Sequence, residues 1–314
     1  MGTPDFAVAV LDSLLDAGHD VEAVFTQPDR PKGRGYEPSK PPVKIEAERH
    51  KIAVFQPETL KDDTVYQAIN RMRPDVIVVA AYGKILPENL LKLPRYGCIN
   101  LHASLLPRYR GSAPVQNAII RGERISGVTA MQMDKGLDTG DMLFKAVTEI
   151  GCDENAGELT GRLASLAAGL IVDTLQAVSA SRLCAVSQDH SLSTYAPMIT
   201  REQCLIDWNA AALEIHNLIR GVYPYLTAIA RCGGTDYKVH ASAVIEDSVH
   251  AQPGQVLEAG QRLIVACGGN TALEILRIQT PGKKVLPARD FLKGSRMTTG
   301  TRFDNRAEKN QGGC

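Results

Sequence analysis

The sequence carries no surplus of charge: 35 Lys and Arg stand against 35 Asp and Glu over 314 residues. That balance excludes a uniformly basic nucleic-acid coat and a uniformly acidic, solvating chain. Long apolar runs are missing as well. No run approaches the about 18 residues that a membrane span requires, and the opening MGTPDFAVAV lacks the basic stretch of a secretory leader. The seven cysteines are odd in number, form no CxxC pair and have mostly apolar neighbours, as at Cys98, Cys184 and Cys267. Neither a disulfide framework nor a zinc site fits that pattern, whereas small buried thiols in a reducing compartment do. These absences leave a soluble, non-secreted protein with no membrane partner. With 44% hydrophobic and 22% charged residues, the composition is that of a folded chain.

What charge there is has an order. Residues 1–189 hold 21 Lys and Arg against 24 Asp and Glu, and residues 190–314 hold 14 against 11. The C-terminal part is the more basic, which permits a polyanionic partner there. A chain of this length exceeds one ordinary core, so two unequal domains are expected: an α/β domain over residues 1–187, a linker over 188–208, a smaller β domain over 209–303 and a frayed tail over 304–314.

Helical and strand patterns alternate through the first domain. Thr3-Pro4-Asp5 reads as a helix start, with Thr3 as cap and an apolar-periodic run to about Ala17. VEAVFT from Val21 is a strand, Pro57 to Met72 a helix, and DVIVVAAY from Asp75 a strand apolar enough to be buried on both faces. Cys98 to Leu101 is the next strand, Ser112 to Arg121 a helix, Val128 to Met133 and Met142 to Ile150 strands, and Asn155 to Ala180 a long helix. This alternation predicts a doubly wound, mostly parallel α/β sheet, with ligands bound beyond the carboxyl ends of its strands. After one helix from Ala210 to Arg220, short strand-like runs separated by Gly and Pro predict a small barrel or sandwich. A helix that starts at Thr3 leaves no room for a strand before it, so the first strand of the βαβ unit is expected to be missing and Met1 to be an internal methionine.

The stretch GCINLHASLLPRYRG, Gly97 to Gly111, places Asn100 and His102 two residues apart at the end of a buried strand, on one face of the sheet. The loop DKGLDTGD, Asp134 to Asp141, holds two glycines among three acids. It is too poor in oxygen ligands at alternate positions for a calcium loop, and no metal is expected. An Asn amide and an imidazole N–H can donate to an oxyanion forming on a carbonyl, while a carboxylate fixes the histidine tautomer or positions a proton-shuttling water. With no good nucleophile among the three, direct attack by one substrate on an acyl group carried by the other is the natural inference.

These two stretches resemble the folate-dependent formyltransferases, and VFTQPDRPKGRG, VVAAYGKILP and PGKKVLPARDFL extend the resemblance over nearly the whole chain. It implies that Asn100, His102 and Asp138 are the catalytic residues, that 10-formyltetrahydrofolate is the co-substrate, and that Ser104, Leu105, Leu106 and Pro107 lie against it. It further implies that the acceptor is the α-amine of methionine on initiator tRNA, in the bacterial cytoplasm, with a monomeric enzyme. The basic loop Gln27 to Pro42, with Arg30, Lys32 and Arg34, would enter the acceptor stem, Arg34 reading its unpaired end. The C-terminal domain would be an OB-like, tRNA-binding barrel using Lys238, Lys283, Lys284 and Arg289. Family members that formylate glycinamide ribonucleotide or sugar nucleotides share the three residues and lack this pairing of basic loop and barrel.

Overall fold

The structure, a computed structural model, describes residues 1–32 and 37–305, with the backbone alone considered at 31, 32, 37 and 38. Arg34 and the last nine residues of the expected tail lie outside the described residues. The first helix, α1 (Asp5–Asp16), buries Phe6, Ala7, Val10, Leu11 and Leu14, the spacing of a helix laid against a core. Thr3 is not its cap. Pro4 takes that position with no side chain capping, and the Thr3 hydroxyl donates instead to the Tyr82 carbonyl at 3.2 Å. The hydroxyl therefore ties the helix start to a neighbouring loop rather than to the helix itself.

There follow β1 (Ala23–Phe25), the hairpin strands β2 (Arg30–Lys32) and β3 (Glu37–Ser39), α2 (Pro42–Arg49), β4 (Ala53–Phe55) and α3 (Asp63–Met72). Helix α3 begins later than the expected Pro57 because Asp62 caps it, accepting from the Thr64 N–H at 2.8 Å, and it ends at Arg73 in the left-handed region (φ 49°). Next come β5 (Ile77–Val79), α4 (Glu88–Leu91), β6 (Cys98–His102), α5 (Pro114–Ile120), β7 (Ile125–Gln132), β8 (Met142–Glu149) and α6 (Ala156–Ser179). The β1 strand pairs in parallel with β4, and β5 with β6.

Met1 and Gly2 lie between these two pairs. The Met1 α-amine donates to Val78 O at 2.7 Å, Ala80 N donates to Met1 O at 2.9 Å, and Gly2 N donates to Phe25 O at 3.0 Å. Burial pushes that amine down to about 6. A Cβ at Gly2 would sit 2.4 Å from the Ala7 Cβ, so only glycine lets α1 approach this closely. Met1 and Gly2 thus bridge the two strand pairs ahead of α1. Beside them is a cavity of about 350 Å³ lined by residues including Leu11, Leu14, Val24, Ile77 and Leu175, and Asn100, His102, Ser104 and Asp138 are not among the described residues that line it.

The expected parallel order holds only as far as β6. His102 of β6 faces Thr129 and Ile99 faces Gln132, so β7 runs antiparallel to β6, and β8 antiparallel to β7. A hairpin connection as short as residues 133–141 can join only antiparallel strands. The consequence for the site is geometric. The β7–β8 loop leaves the sheet beside the start of β6, and it must fold back for Asp138 to reach the strand end where His102 stands.

The chain forms two compact units. The first comprises Met1–Pro114, Ile125–Glu149 and Thr160–Pro197; the second comprises Val115–Arg124, Ile150–Leu159 and the chain from Met198 onward. In the second, α7 (Ala212–Val222) precedes β9 (Ala228–Cys232), β10 (Thr235–Ile245), β11 (Val256–Ala259), β12 (Leu263–Cys267), β13 (Thr271–Gln279), β14 (Leu286–Pro287) and α8 (Ala288–Lys293). The strands form one antiparallel sheet in the order β11-β12-β13-β10-β9, with β14 added to β13. Among the described residues the named strands form an open path from β11 to β9, and residues 300–304 hydrogen-bond to both of its ends, Val256 N of β11 donating to Thr301 O and Asp304 N donating to Arg231 O of β9. Its core is centred on Trp208, stacked on Phe303 with ring centroids 5.2 Å apart, and on Val239, Val265, Leu273 and Ile275, all buried.

Candidate active site

Strand β6 is buried at Cys98, Ile99, Leu101 and His102, while Asn100 keeps partial access to solvent. The two-residue period places the Asn100 and His102 side chains on one face. The Asn100 amide makes no hydrogen bond to any described residue, so its N–H₂ and carbonyl are uncommitted. His102 is held firmly. Its Nε2 donates to the Tyr109 carbonyl at 2.8 Å, and because a carbonyl can only accept, that contact assigns a proton to Nε2. Its Nδ1 faces the Asp138 carboxylate at 3.7 Å, beyond hydrogen-bond length and within ion-pair reach.

The segment after β6 folds back on itself. Ser104 N donates to His102 O, the Ser104 hydroxyl donates to Arg108 O at 2.7 Å, and Tyr109 takes a positive φ of 62°. An aromatic residue in the left-handed region is held there by its surroundings. Thr129, fully buried and directly opposite His102 in the ladder, accepts from Leu106 N and donates to Ser104 O at 2.7 Å. Lys145, whose pKa desolvation lowers, donates to Leu106 O. Of the four residues expected against the co-substrate, Ser104 and Leu106 are therefore buried in the protein's own bonding and packing, whereas Leu105 and Pro107 keep partly open surfaces.

Asp138 also has a positive φ, 53°. Its Oδ2 accepts from Gly111 N at 2.8 Å. Glycine is required at 111, where φ is 116° and a Cβ would lie 2.9 Å from Ala196 O. The loop around Asp138 is tied internally by Asp134, whose carboxylate accepts from Gly136 N and the Thr139 hydroxyl. From outside it is tied by Gln188, whose Nε2 donates to Asp138 O at 2.8 Å and Gly140 O at 2.7 Å. Gln188 in turn accepts from the buried Arg110 guanidinium through both Nε and an Nη.

Sequence reasoning assigned neither of these two residues. Gln188 opened a stretch read as linker, and Arg110 sat in a basic run, PRYR, that looks solvated. It also gave no sign of a cluster at the foot of the basic loop. There Lys44 Nζ donates to Asp29 and Gln56, Gln56 donates to Gln27 O and Asp29, and Gln27 donates to Tyr82 O. The hydrogen bonds from Lys44 and Gln56 hold the Asp29 carboxyl below the usual range. The loop itself is a hairpin, with Arg30 facing Ser39 and Lys32 facing Glu37. Arg30 is exposed and Lys32 lies in β2, while Arg34 is outside the described residues.

The site so built offers an amide uncommitted to any described residue, an imidazole and a carboxylate at the end of strand β6, with donors at Asn100 and His102 and no nucleophile among them. Comparison with known proteins gives a consistent picture. Residues 1–175 match the formyl transferase family, and residues 198–296 match the formyl transferase C-terminal domain. A methionyl-tRNA formyltransferase of Alkaliphilus oremlandii is 47% identical over 300 residues, covering 96% of this chain and 97% of that protein. One from Geobacter metallireducens is 46% identical over 303 residues, with 96% and 97% covered. Among solved structures, an N-formyltransferase from Helicobacter canadensis, in complex with folinic acid and dTDP-3-aminofucose, superposes with a TM-score of 0.67 at 18% identity. That match covers 87% of this chain and 96% of the other, and at such identity it speaks for the fold.

Proposed function

This chain belongs to the formyl transferase family, and on that premise we propose that it transfers the formyl group of 10-formyltetrahydrofolate to the α-amine of methionyl-tRNA. The observation that carries the reading is the meeting of Asn100, His102 and Asp138 at one strand end, in a chain related over nearly its full length to enzymes of that name.

In the reaction the methionyl amine adds to the formyl carbon, and negative charge develops on the formyl oxygen. The Asn100 amide, free of bonds to any other described residue, donates to that oxygen. His102 joins it, its Nε2 exchanging the Tyr109 carbonyl for the substrate's oxygen. The bond from the formyl carbon to the folate nitrogen then breaks. One proton leaves the amine and one arrives on the departing nitrogen, a transfer assigned to the His102–Asp138 pair, whose 3.7 Å approach supports it. Leu105 and Pro107 supply surface for the folate, while Ser104 and Leu106 shape it from beneath.

The acceptor is the initiator tRNA. The hairpin carrying Arg30, Lys32 and Arg34 meets its acceptor stem, Arg34 reading the unpaired end, since a guanidinium suits both phosphates and base edges. The C-terminal sheet serves as an OB-like surface, with Lys238, Lys283, Lys284 and Arg289 as its phosphate contacts. The enzyme works as a monomer in the bacterial cytoplasm, its relatives being bacterial.

A formyl-transfer assay comparing initiator with elongator methionyl-tRNA tests the proposal directly, and folded protein active on neither would end it. A second expected result concerns the basic residues. Replacing Lys283 and Lys284 by alanine together should weaken every tRNA alike and reduce the slope of log affinity against log salt by about 1 to 2. Arg34→Ala should instead narrow the gap between initiator and elongator. A uniform loss for Arg34→Ala would make it a phosphate contact like the lysines.

A further inference from the structure

The Gln188 amide is fully used and can be oriented in one way only. Its oxygen accepts from Arg110 Nε at 3.1 Å and Nη2 at 2.6 Å, and its nitrogen donates to Asp138 O and Gly140 O. A guanidinium only donates and a carbonyl only accepts, so turning the amide over would set donor against donor and acceptor against acceptor. Arg110 is 2% exposed and pairs with no carboxylate among the described residues; its other side-chain contact is His190 Nδ1 at 3.1 Å. Burying a guanidinium without a counter-charge is costly. Its backbone is fixed as well, Arg110 N donating to Thr194 O and Ala196 N donating to Arg110 O.

What this arrangement grips is Asp138, a residue whose left-handed backbone persists only if its surroundings over-determine it. The Arg110-Gly111 dipeptide holds it from two directions. Gly111 N binds the carboxylate directly, and the Arg110 side chain acts through Gln188 on the Asp138 carbonyl. We propose that Gln188, oriented by the buried Arg110, is a positioning residue that sets the Asp138 carboxylate against His102 for formyl transfer. The inference rests on the reading of Asp138 given above.

Gln188→Glu separates positioning from simple packing. The carboxylate keeps, and strengthens, the contact with Arg110 while removing both N–H donors to the loop. The expected outcome is a fall in kcat of about tenfold to a hundredfold, as for small misplacements of a reacting group. KM for folate and tRNA should stay within about twofold and the pH–rate profile should shift, since only the chemical step is touched. Should Gln188→Glu not fold, Gln188→Asn decides by the same readouts, because its amide is too short to span both carbonyls and the guanidinium. Wild-type kcat and an unshifted profile in the folded variant overturn the proposal. If Asp138→Asn itself runs at the wild-type rate, the reading beneath it fails. If Asp138→Asn is slow while Gln188→Glu is not, only the positioning role fails.

Discussion

Asn100→Ala is expected to lower turnover by about 10²- to 10³-fold with little change in methionyl-tRNA binding. That is the usual cost, about 2.7–4 kcal/mol, of removing one donor aimed at a developing oxyanion. The structure sharpens the expectation. The Asn100 amide makes no bond to any described residue, so its removal leaves no protein group unpaired, and a kinetic loss without a stability loss is the signature of an amide kept for substrate. His102→Ala should show at least as large a drop in turnover. It should also lower the unfolding midpoint, because the Tyr109 carbonyl loses its 2.8 Å donor in a buried, left-handed segment, and the Ser104 hydroxyl at 3.5 Å is a weaker one. Steady-state kinetics alongside denaturant melts check both. Near-wild-type turnover in either variant would remove that residue from the reaction.

Asp138→Asn should slow the chemical step by about 10²-fold, within the range for loss of a general acid–base group, and leave the fold intact. The reason the fold survives lies in the backbone. Asparagine adopts the left-handed region about as readily as aspartate, and its side-chain oxygen can still accept from Gly111 N. What disappears is the negative charge facing His102 Nδ1. The pH–rate profile should accordingly lose or displace one limb. An unchanged rate and profile would leave Asp138 a turn residue.

The placement of Asn100 and His102 on one face at the end of a buried strand was legible in the sequence because a strand repeats every two residues. Asp138 was legible through its glycine-flanked acidic loop and the family resemblance. The route by which that loop arrives was not. Antiparallel β7 follows from how the chain turns after β6, and hydrophobic pattern carries no strand direction: Val128 to Met133 reads the same either way. Strands of three residues, such as β4 and each arm of the β2–β3 hairpin, are too short to show a period, so the basic loop looked unstructured. Arg110 and Gln188 were hidden for another reason. Their partnership spans 78 positions, and a buried arginine differs from a solvated one only in what the fold places around it.

The β7–β8 loop has one more property. At its base Met133 N donates to Cys98 O and the Asp141 carboxylate accepts from the Ser187 hydroxyl; at its tip the ties from outside run to the Asp138 and Gly140 carbonyls and to the Asp138 carboxylate, while the N–H groups of Lys135, Leu137, Asp138 and Thr139 have no acceptor among the described residues. Deuterium exchange reports on whether an N–H is bonded and shielded, not on whether the chain is still. This loop can stand fixed at the candidate site and yet take up deuterium as fast as a frayed end, so that its order registers in carbonyl vibrational frequencies rather than in amide protection.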